Sequence, residues 1–304
     1  MNTAARAEDV SIVIVSWNTK ALVLDCLASL GDAAGSLALE VVLVDNASTD
    51  DTVAAVRQRY PEVIVVENRD NRGFAAANNQ GIRAARGRYV LLLNSDTAAD
   101  VGSIETLVRF ADTEPRSGAV GGMLLDGNGA FQASFQKAPS IVRECLSASG
   151  LGSRLWFAGY PSYGPAQSRV RRQVEVIPGA CMLLRRAALD DVGLLDESYF
   201  MYSEETDLCR RLRARDWSVW YVPEARITHF GGQSTRQVRT AMVLELYRSK
   251  VRYMAIHHGT MRALVLRSLL TVILRSKRAI AELRPATRGR VPRVRWSDLG
   301  ARES

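Results

Sequence analysis

Short apolar runs and amphipathic stretches alternate along the first hundred residues. Residues 10–15 (VSIVIV), 39–44 (LEVVLV), 63–67 (VIVVE) and 89–93 (YVLLL) are almost continuously aliphatic or β-branched. Such runs suit strands covered on both faces. Between them, residues 19–30, 50–60 and 74–85 carry apolar side chains at helical spacing,. Strands alternating with helices predict parallel βαβ units. In such sheets ligands sit beyond the carboxyl ends of the strands.

Each of those ends is polar. The first is followed by Ser16, Trp17 and Asn18, the second by Asp45, Asn46, Ala47, Ser48 and Thr49, the third by residues 68–73, and the fourth by Asn94, Ser95 and Asp96. Any one of these is an ordinary loop, with Ser48 or Asp50 as a helix cap. Four of them on one sheet edge point to a binding site.

Farther on, Glu204-Glu205-Thr206-Asp207 opens an amphipathic pattern with Ser203 in the N-cap position,. On a helix starting there, Glu205 shares a face with Leu208, Cys209 and Leu212, whereas Glu204, Asp207 and Arg211 share another. Glu205 is thus expected to point inward, where a carboxylate is costly unless it is used. It is the candidate base, with Glu204 and then Asp207 as competitors. Acidic residues also favour any first helical turn, which is the plain alternative. His229 precedes Gly231 and Gly232, which permit close backbone approach to a ligand,.

Residues 146–172 are rich in Gly, Ser, Pro and aromatics and are expected to be a long flexible loop, its Trp156, Phe157, Tyr160 and Tyr163 a lid over an acceptor,. A helix is expected over 238–257 with Leu244, Tyr247, Val251 and Met254 on one face. In residues 261–283 apolar runs alternate with Arg262, Arg267, Arg275, Lys277 and Arg278. That pattern suits a helix lying on an anionic membrane, or one packed on the domain with its cations solvated.

Charge sharpens this division. The net charge is +8, yet residues 236–304 hold 16 Lys and Arg against 4 Asp and Glu, so the rest of the chain is net acidic. No nucleic-acid module accompanies the basic end, and nucleic acid is not expected as a partner. The cysteines Cys26, Cys145, Cys181 and Cys209 form no C-x-x-C pair, which suits buried thiols in a reducing cytosol,. Neither a secretory signal nor a membrane span is expected. There is no G-x-G-x-x-G after the first strand and no G-x-x-x-x-G-K-[ST], so dinucleotide and P-loop readings lose support,. Asp96 at a strand end, with His229 and acidic neighbours downstream, suits a divalent cation bridging a diphosphate.

The stretches VSIVIVSWN, VVLVDNASTD, NRGFAAANNQGIRAARGRYVLLLNSD, PGACMLLRRAAL, VGLLDESYFMYSEETDLCRRLR and HFGGQST together resemble the family 2 glycosyltransferases, particularly bacterial rhamnosyltransferase-like members. The likeness spans about residues 10–258. It implies an α/β fold of GT-A type, with a Rossmann-like, mostly parallel central sheet flanked by helices, and a C-terminal helical extension. Four regions are expected: a disordered start (1–9), a catalytic domain (10–235), a helical basic extension (236–284) and, from its Arg and Pro content, a mobile tail (285–304),.

By the same resemblance Asp45 contacts the nucleotide base or ribose, in a pocket with Ser16, Trp17, Asn18 and Asn46. Arg72, Gly73, Phe74 and Asn78 line the nucleotide side. Asn94-Ser95-Asp96 stands where the family has D-x-D, so Asp96 binds Mg²⁺ or Mn²⁺ and Asn94 meets the sugar diphosphate. The Asn in place of the first Asp removes one charged ligand. His229 matches a metal ligand of some relatives, Gly179 and Ala180 lie near donor sugar and acceptor, and Glu205 takes the second place of a Glu-Asp base motif. The implied activity is inverting transfer from a dTDP- or UDP-sugar, with dTDP-rhamnose the preferred donor. The acceptor is a hydroxyl of a cell-surface glycan or lipid-linked glycan, at the cytoplasmic face of the membrane. Two alternatives stay open: a sugar nucleotidyltransferase, and a catalytically silent sugar-binding protein at the membrane.

Overall fold

The apolar runs form strands and the amphipathic stretches form helices, in the order expected. A computed structural model describes residues 9–151, 169–231, 239–282 and 296–300. Strand β1 (Val10–Ser16) leads to α1 (Lys20–Ala34), β2 (Leu39–Asp45), α2 (Thr52–Arg59), β3 (Ile64–Glu67), α3 (Phe74–Ala84) and β4 (Tyr89–Asn94). The short β5 (Thr97–Ala99), α4 (Ser103–Thr113), β6 (Ser117–Leu125) and α5 (Ile141–Ser149) follow. After them come β7 (Arg172–Gln173), β8 (Cys181–Arg185), α6 (Arg186–Val192), α7 (Glu204–Ala214) and β9 (Ser218–His229).

Among the described residues, nine strands form one sheet in the order β3-β2-β1-β4-β8-β6-β9-β5, with β7 paired to β9. The half from β3 to β4 is parallel. Beyond β4 the sheet is mixed rather than parallel: β8 runs antiparallel to both β4 and β6, and β5 and β7 run antiparallel to β9, while β6 and β9 are parallel. The single-sequence pattern does not specify that reversal, because a buried apolar run reads the same in either direction.

Alternation along β1 sends Val10, Ile12 and Ile14 to one face of the sheet, against Val23, Leu27, Leu30, Ile104 and Leu107 of α1 and α4. Val13 faces the other side, where Ala75, Ile82, Ala188, Leu208 and Leu212 of α3, α6 and α7 pack. Burial on both faces explains why these strands carry no polar alternation.

A third core lies outside the sheet. Helices α8 (Arg239–His258) and α9 (Thr260–Glu282) pack with α5 through Ala148, Val251, Met254, Leu266, Leu270 and Leu274. Lys277 Nζ donates to Ala148 O at 2.9 Å, and the half-buried Lys250 pairs with Glu144 on α5. Residues 296–300, expected within a mobile tail, include one turn of 3₁₀ helix (Trp296–Leu299) whose Leu299 is fully buried in this core. The expected flexible loop also begins later than foreseen, because residues 146–149 belong to α5. The proposed aromatic lid and the expected disordered residues 1–8 lie outside the described residues. Among the described residues, no helix is long and apolar enough to cross a membrane.

Candidate functional site

Register brings the polar strand ends level. Ser16 pairs with Asp45 across β1 and β2, and Val15 with Asn94 across β1 and β4. A chain of hydroxyls stitches the same edge together: Ser16 Oγ lies 3.1 Å from Thr19 Oγ1, which lies 3.2 Å from Ser95 Oγ. Asn18 adopts a left-handed backbone (φ 52°), and its Oδ1 accepts from Thr49 N. Asp50 serves structure, accepting from Lys20 N and Thr52 N at the starts of α1 and α2. Trp17 is half-buried beside this corner.

Two neighbours at the end of β2 divide their work. Asp45 is buried, its Oδ2 accepts from Ser48 N at 2.9 Å, and its Oδ1 is buried without a protein partner. An orphaned carboxylate oxygen at the carboxyl edge of a sheet is a ready acceptor for a ligand donor. Asn46, expected in the same pocket, bonds the Asn68 and Asn71 side chains, Arg72 N and Gly73 O. It shapes the 68–73 loop. Gly73 takes φ +82°, and a Cβ there would collide with Phe200 O, which also accepts from Phe74 N at 2.7 Å. The Arg72 side chain is exposed and Asn78 is buried, its amide turned back to Phe74 O.

The Asn94-Ser95-Asp96 segment bridges β4 and β5. Asn94 N donates to Ala180 O, and Phe230 N to Asp96 O. His229 Nε2 lies 3.3 Å from both Asp96 Oδ1 and Asn94 Nδ2. Gln132, absent from the sequence reading, fixes the ring: its Oε1 is 3.0 Å from His229 Nδ1 and its Nε2 donates to His229 O at 2.7 Å. Gln132 Oε1 accepts only if Nδ1 carries the proton, so a neutral His229 turns its Nε2 lone pair toward Asp96. That lone pair also faces Asn94 Nδ2, which can donate to it. Among the described residues, no group of three His, Cys, Asp or Glu gathers in ligand geometry. Asp96 and His229 side by side could supply a carboxylate oxygen and a ring nitrogen to a hard cation, which would need further ligands from elsewhere,.

The acidic helix start closes the site. Gly179 sits between Phe74 and Glu205, since a Cβ there would lie 3.2 Å from the Phe74 ring and 3.9 Å from Glu205 Cβ. The expected division of faces on α7 needs correction. Glu204 is the deeper carboxylate, buried with its Oε2 unpartnered, and Glu205 is half-buried. The face assigned to solvent is covered: Asp207 is buried, with Arg211 Nε at 2.7 Å and His257 Nε2 at 2.6 Å. That commitment removes Asp207 from the base role.

Burial, then the neighbouring Glu205 charge, pushes the Glu204 carboxyl well above the ordinary carboxylate range. Burial also raises Glu205, against hydrogen bonds from its own backbone and from Glu204 that lower it. Both carboxyls are thus pushed upward, Glu204 more strongly, and protons leave them as a pair,. Ser203 stands in the N-cap position with φ 69° and its side chain caps nothing; Tyr202 before it has φ 71°. Two successive left-handed non-glycine residues cost about 1–2 kcal/mol each, so the turn into α7 is held from outside.

A family model described as Glycosyl transferase family 2 matches residues 11–193. An N-acetylglucosaminyl-diphospho-decaprenol L-rhamnosyltransferase of Mycobacterium tuberculosis is 33% identical over 236 residues, which are 73% of this chain and 76% of that protein. A low-salt glycan biosynthesis hexosyltransferase of Haloferax volcanii is 24% identical over 218 residues, covering 70% and 64%. In fold the chain resembles a mannosyltransferase from Pyrobaculum calidifontis in complex with GDP-Man and Mn²⁺, with a TM-score of 0.54 at 16% identity over 97% of this chain and 86% of that one. It also resembles GalNAc-T7 with UDP, GalNAc and Mn²⁺, with a TM-score of 0.57 at 15% identity over 82% of this chain, although it spans about half (48%) of that one.

Proposed function

Because the chain belongs to glycosyl transferase family 2, a family of enzymes that take sugar from nucleotide-sugar donors, we propose that it moves L-rhamnose from dTDP-rhamnose to an N-acetylglucosaminyl-diphospho-polyprenol. Its GT-A fold is that of the glycosyltransferases it resembles. The carrying observation is the convergence on one sheet edge of the orphaned Asp45 Oδ1, the Asn94, Asp96 and His229 cluster, and Glu205 beside Gly179. Catalysis is assigned to residues 10–235 and acceptor delivery to the extension over 236–284.

In this reading Asp45 accepts a hydrogen bond from base or ribose, with Ser16, Trp17 and Asn18 as the pocket wall. The 72–74 turn and Asn78 shape the nucleotide side. Asp96 and His229 would hold Mg²⁺ or Mn²⁺, which when bound would offset the charge of the leaving diphosphate, and Asn94 donates to the sugar diphosphate. Glu205 removes the proton of the acceptor hydroxyl as its oxygen attacks the anomeric carbon from the face opposite the diphosphate, which inverts that centre. Gly179 and Ala180 leave room for the sugar.

The lipid-linked acceptor places the enzyme at the cytoplasmic membrane face, and α9 supports that position. Its inner face packs in the third core, while Met261, Val265, Leu269 and Val272 form an outward stripe, 74% exposed at Met261 and 62% at Val272. Exposed Arg262 and Arg275 border it. Apolar side chains flanked by cations suit an anionic bilayer. Replacing Leu269 and Val272 by Glu should cut cosedimentation with phosphatidylglycerol vesicles about tenfold or more; unchanged binding would remove the membrane from the proposal.

The deciding experiment is thermal stabilisation by dTDP, UDP, GDP and ADP with and without Mn²⁺, on the wild type and Asp96→Ala, followed by transfer from dTDP-rhamnose. Stabilisation by dTDP that needs both the metal and Asp96 supports the donor assignment. Indifference to every nucleotide refutes it.

A further inference from the structure

Helix α8 grips the segment that carries the candidate base at successive points. Ser249 Oγ, buried, donates to Met201 O at 2.7 Å, immediately before the two left-handed residues Tyr202 and Ser203. Arg252 Nε donates to Ser198 Oγ at 2.7 Å. One turn farther along, His257 Nε2 donates to Asp207 Oδ1 at 2.6 Å, and its ring centroid lies 4.7 Å from that of the fully buried Tyr253. Arg210 on α7 returns a contact, donating to His257 O at 3.4 Å. The contacts bracket residues 204–206 on both sides. Helix α8 lies wholly outside the residues matched by the family model, which end at 193.

A left-handed turn built from Tyr and Ser relaxes unless its surroundings impose it. Here α8 supplies a hydroxyl on the carbonyl that enters the turn and an imidazole on the carboxylate one turn beyond it, beside Arg211 on that carboxylate and Phe74 N on Phe200 O. Glu205 lies between these anchors. We propose that α8 is a clamp on the catalytic turn, and that His257, acting through Asp207, is a positioning residue for Glu205. The inference rests on Glu205 being the base. His257 touches no reacting atom in it; the imidazole fixes the rotation of α7 and so the approach of Glu205 to the acceptor oxygen. Misplacement of a reacting group by about 1 Å costs up to roughly 10²-fold in rate.

The test uses the full chain, dTDP-rhamnose with Mn²⁺, and the polyprenyl-diphosphate acceptor. His257→Ala is expected to lower kcat ten- to a hundredfold with donor KM unchanged, whereas His257→Gln, which retains an N–H donor at similar reach, stays within a few fold of wild type. In the Glu205→Gln background, His257→Ala should add nothing further. Amide hydrogen exchange across 201–208 reads the clamp without substrate: faster in His257→Ala and Ser249→Ala, near wild type in His257→Gln. A wild-type kcat in His257→Ala, unchanged exchange in that variant, or equal losses of kcat and dTDP affinity in the Ala and Gln variants would overturn the clamp. An active Glu205→Gln beside a crippled His257→Ala would instead overturn the base assignment and leave the clamp standing.

Discussion

The donor edge and the start of α7 are both polar, and they are held in opposite ways. At the donor edge, Ser16, Asp45 and Asn94 sit where they do because three parallel strands end level, and the loops between them are fastened by neighbours such as Asn46 and Asp50. At α7 the N-cap hydroxyl makes no capping bond and two residues take left-handed conformations; beside the local Arg211–Asp207 pair, further anchors come from a helix some fifty residues downstream. Polarity at the sheet edge comes with the sheet, whereas the setting of the proposed base depends on tertiary contact.

The largest expected effect lies on the imposed side. Glu205→Gln should lower transfer by about 10²- to 10⁴-fold, the usual span of positioned general-base help, with dTDP affinity by calorimetry unchanged. Equal loss of nucleotide affinity would erase the distinction between the two regions. The same pair sets opposing pH trends. Transfer must rise with pH as Glu205 loses its proton. Stability must fall, because carboxyls raised by folding contribute stability below their unfolded pKa and lose it as pH climbs through the folded one,. Rate and denaturation profiles from the ordinary carboxylate range upward check both signs.

On the donor side, Gln132→Leu removes the bond that orients His229 and should weaken Mn²⁺-dependent dTDP binding about 10- to 100-fold, without altering transfer at saturating metal and nucleotide. The smallest effects sharpen the account of the turn. Ser203→Ala should change stability by less than about 0.5 kcal/mol, against the roughly 1 kcal/mol lost with a working cap. Ser203→Gly should gain up to about 1 kcal/mol by relieving the left-handed strain. Denaturant titration separates the two.

The sequence made the donor edge legible because each clue was short in range: an apolar run, then polar residues at its end. The start of α7 was legible as a helix and as an acidic cluster, but the depth of its carboxylates was not. Facing by helical period ranked Glu205 as the inward residue because it took the opposite side of α7 for a solvent face. On that side Asp207 is an anchor for Arg211 and for His257 of α8, and Glu204 is the deeper carboxylate. Gln132 was invisible for a related reason: it lies in an irregular segment and meets His229 across 97 residues. The docked Leu299 lay beyond any periodic signal, in a stretch whose Arg and Pro content reads as tail.

If the outward stripe of α9 holds the enzyme at a bilayer, it also sets the dimension of the enzyme's search. On the reading proposed above, a chain held at a bilayer meets its acceptor by lateral diffusion, and velocity then follows the mole fraction of acceptor in the lipid. Adding inert anionic lipid at constant total acceptor should slow the reaction by dilution within the surface, although nothing in bulk solution has changed.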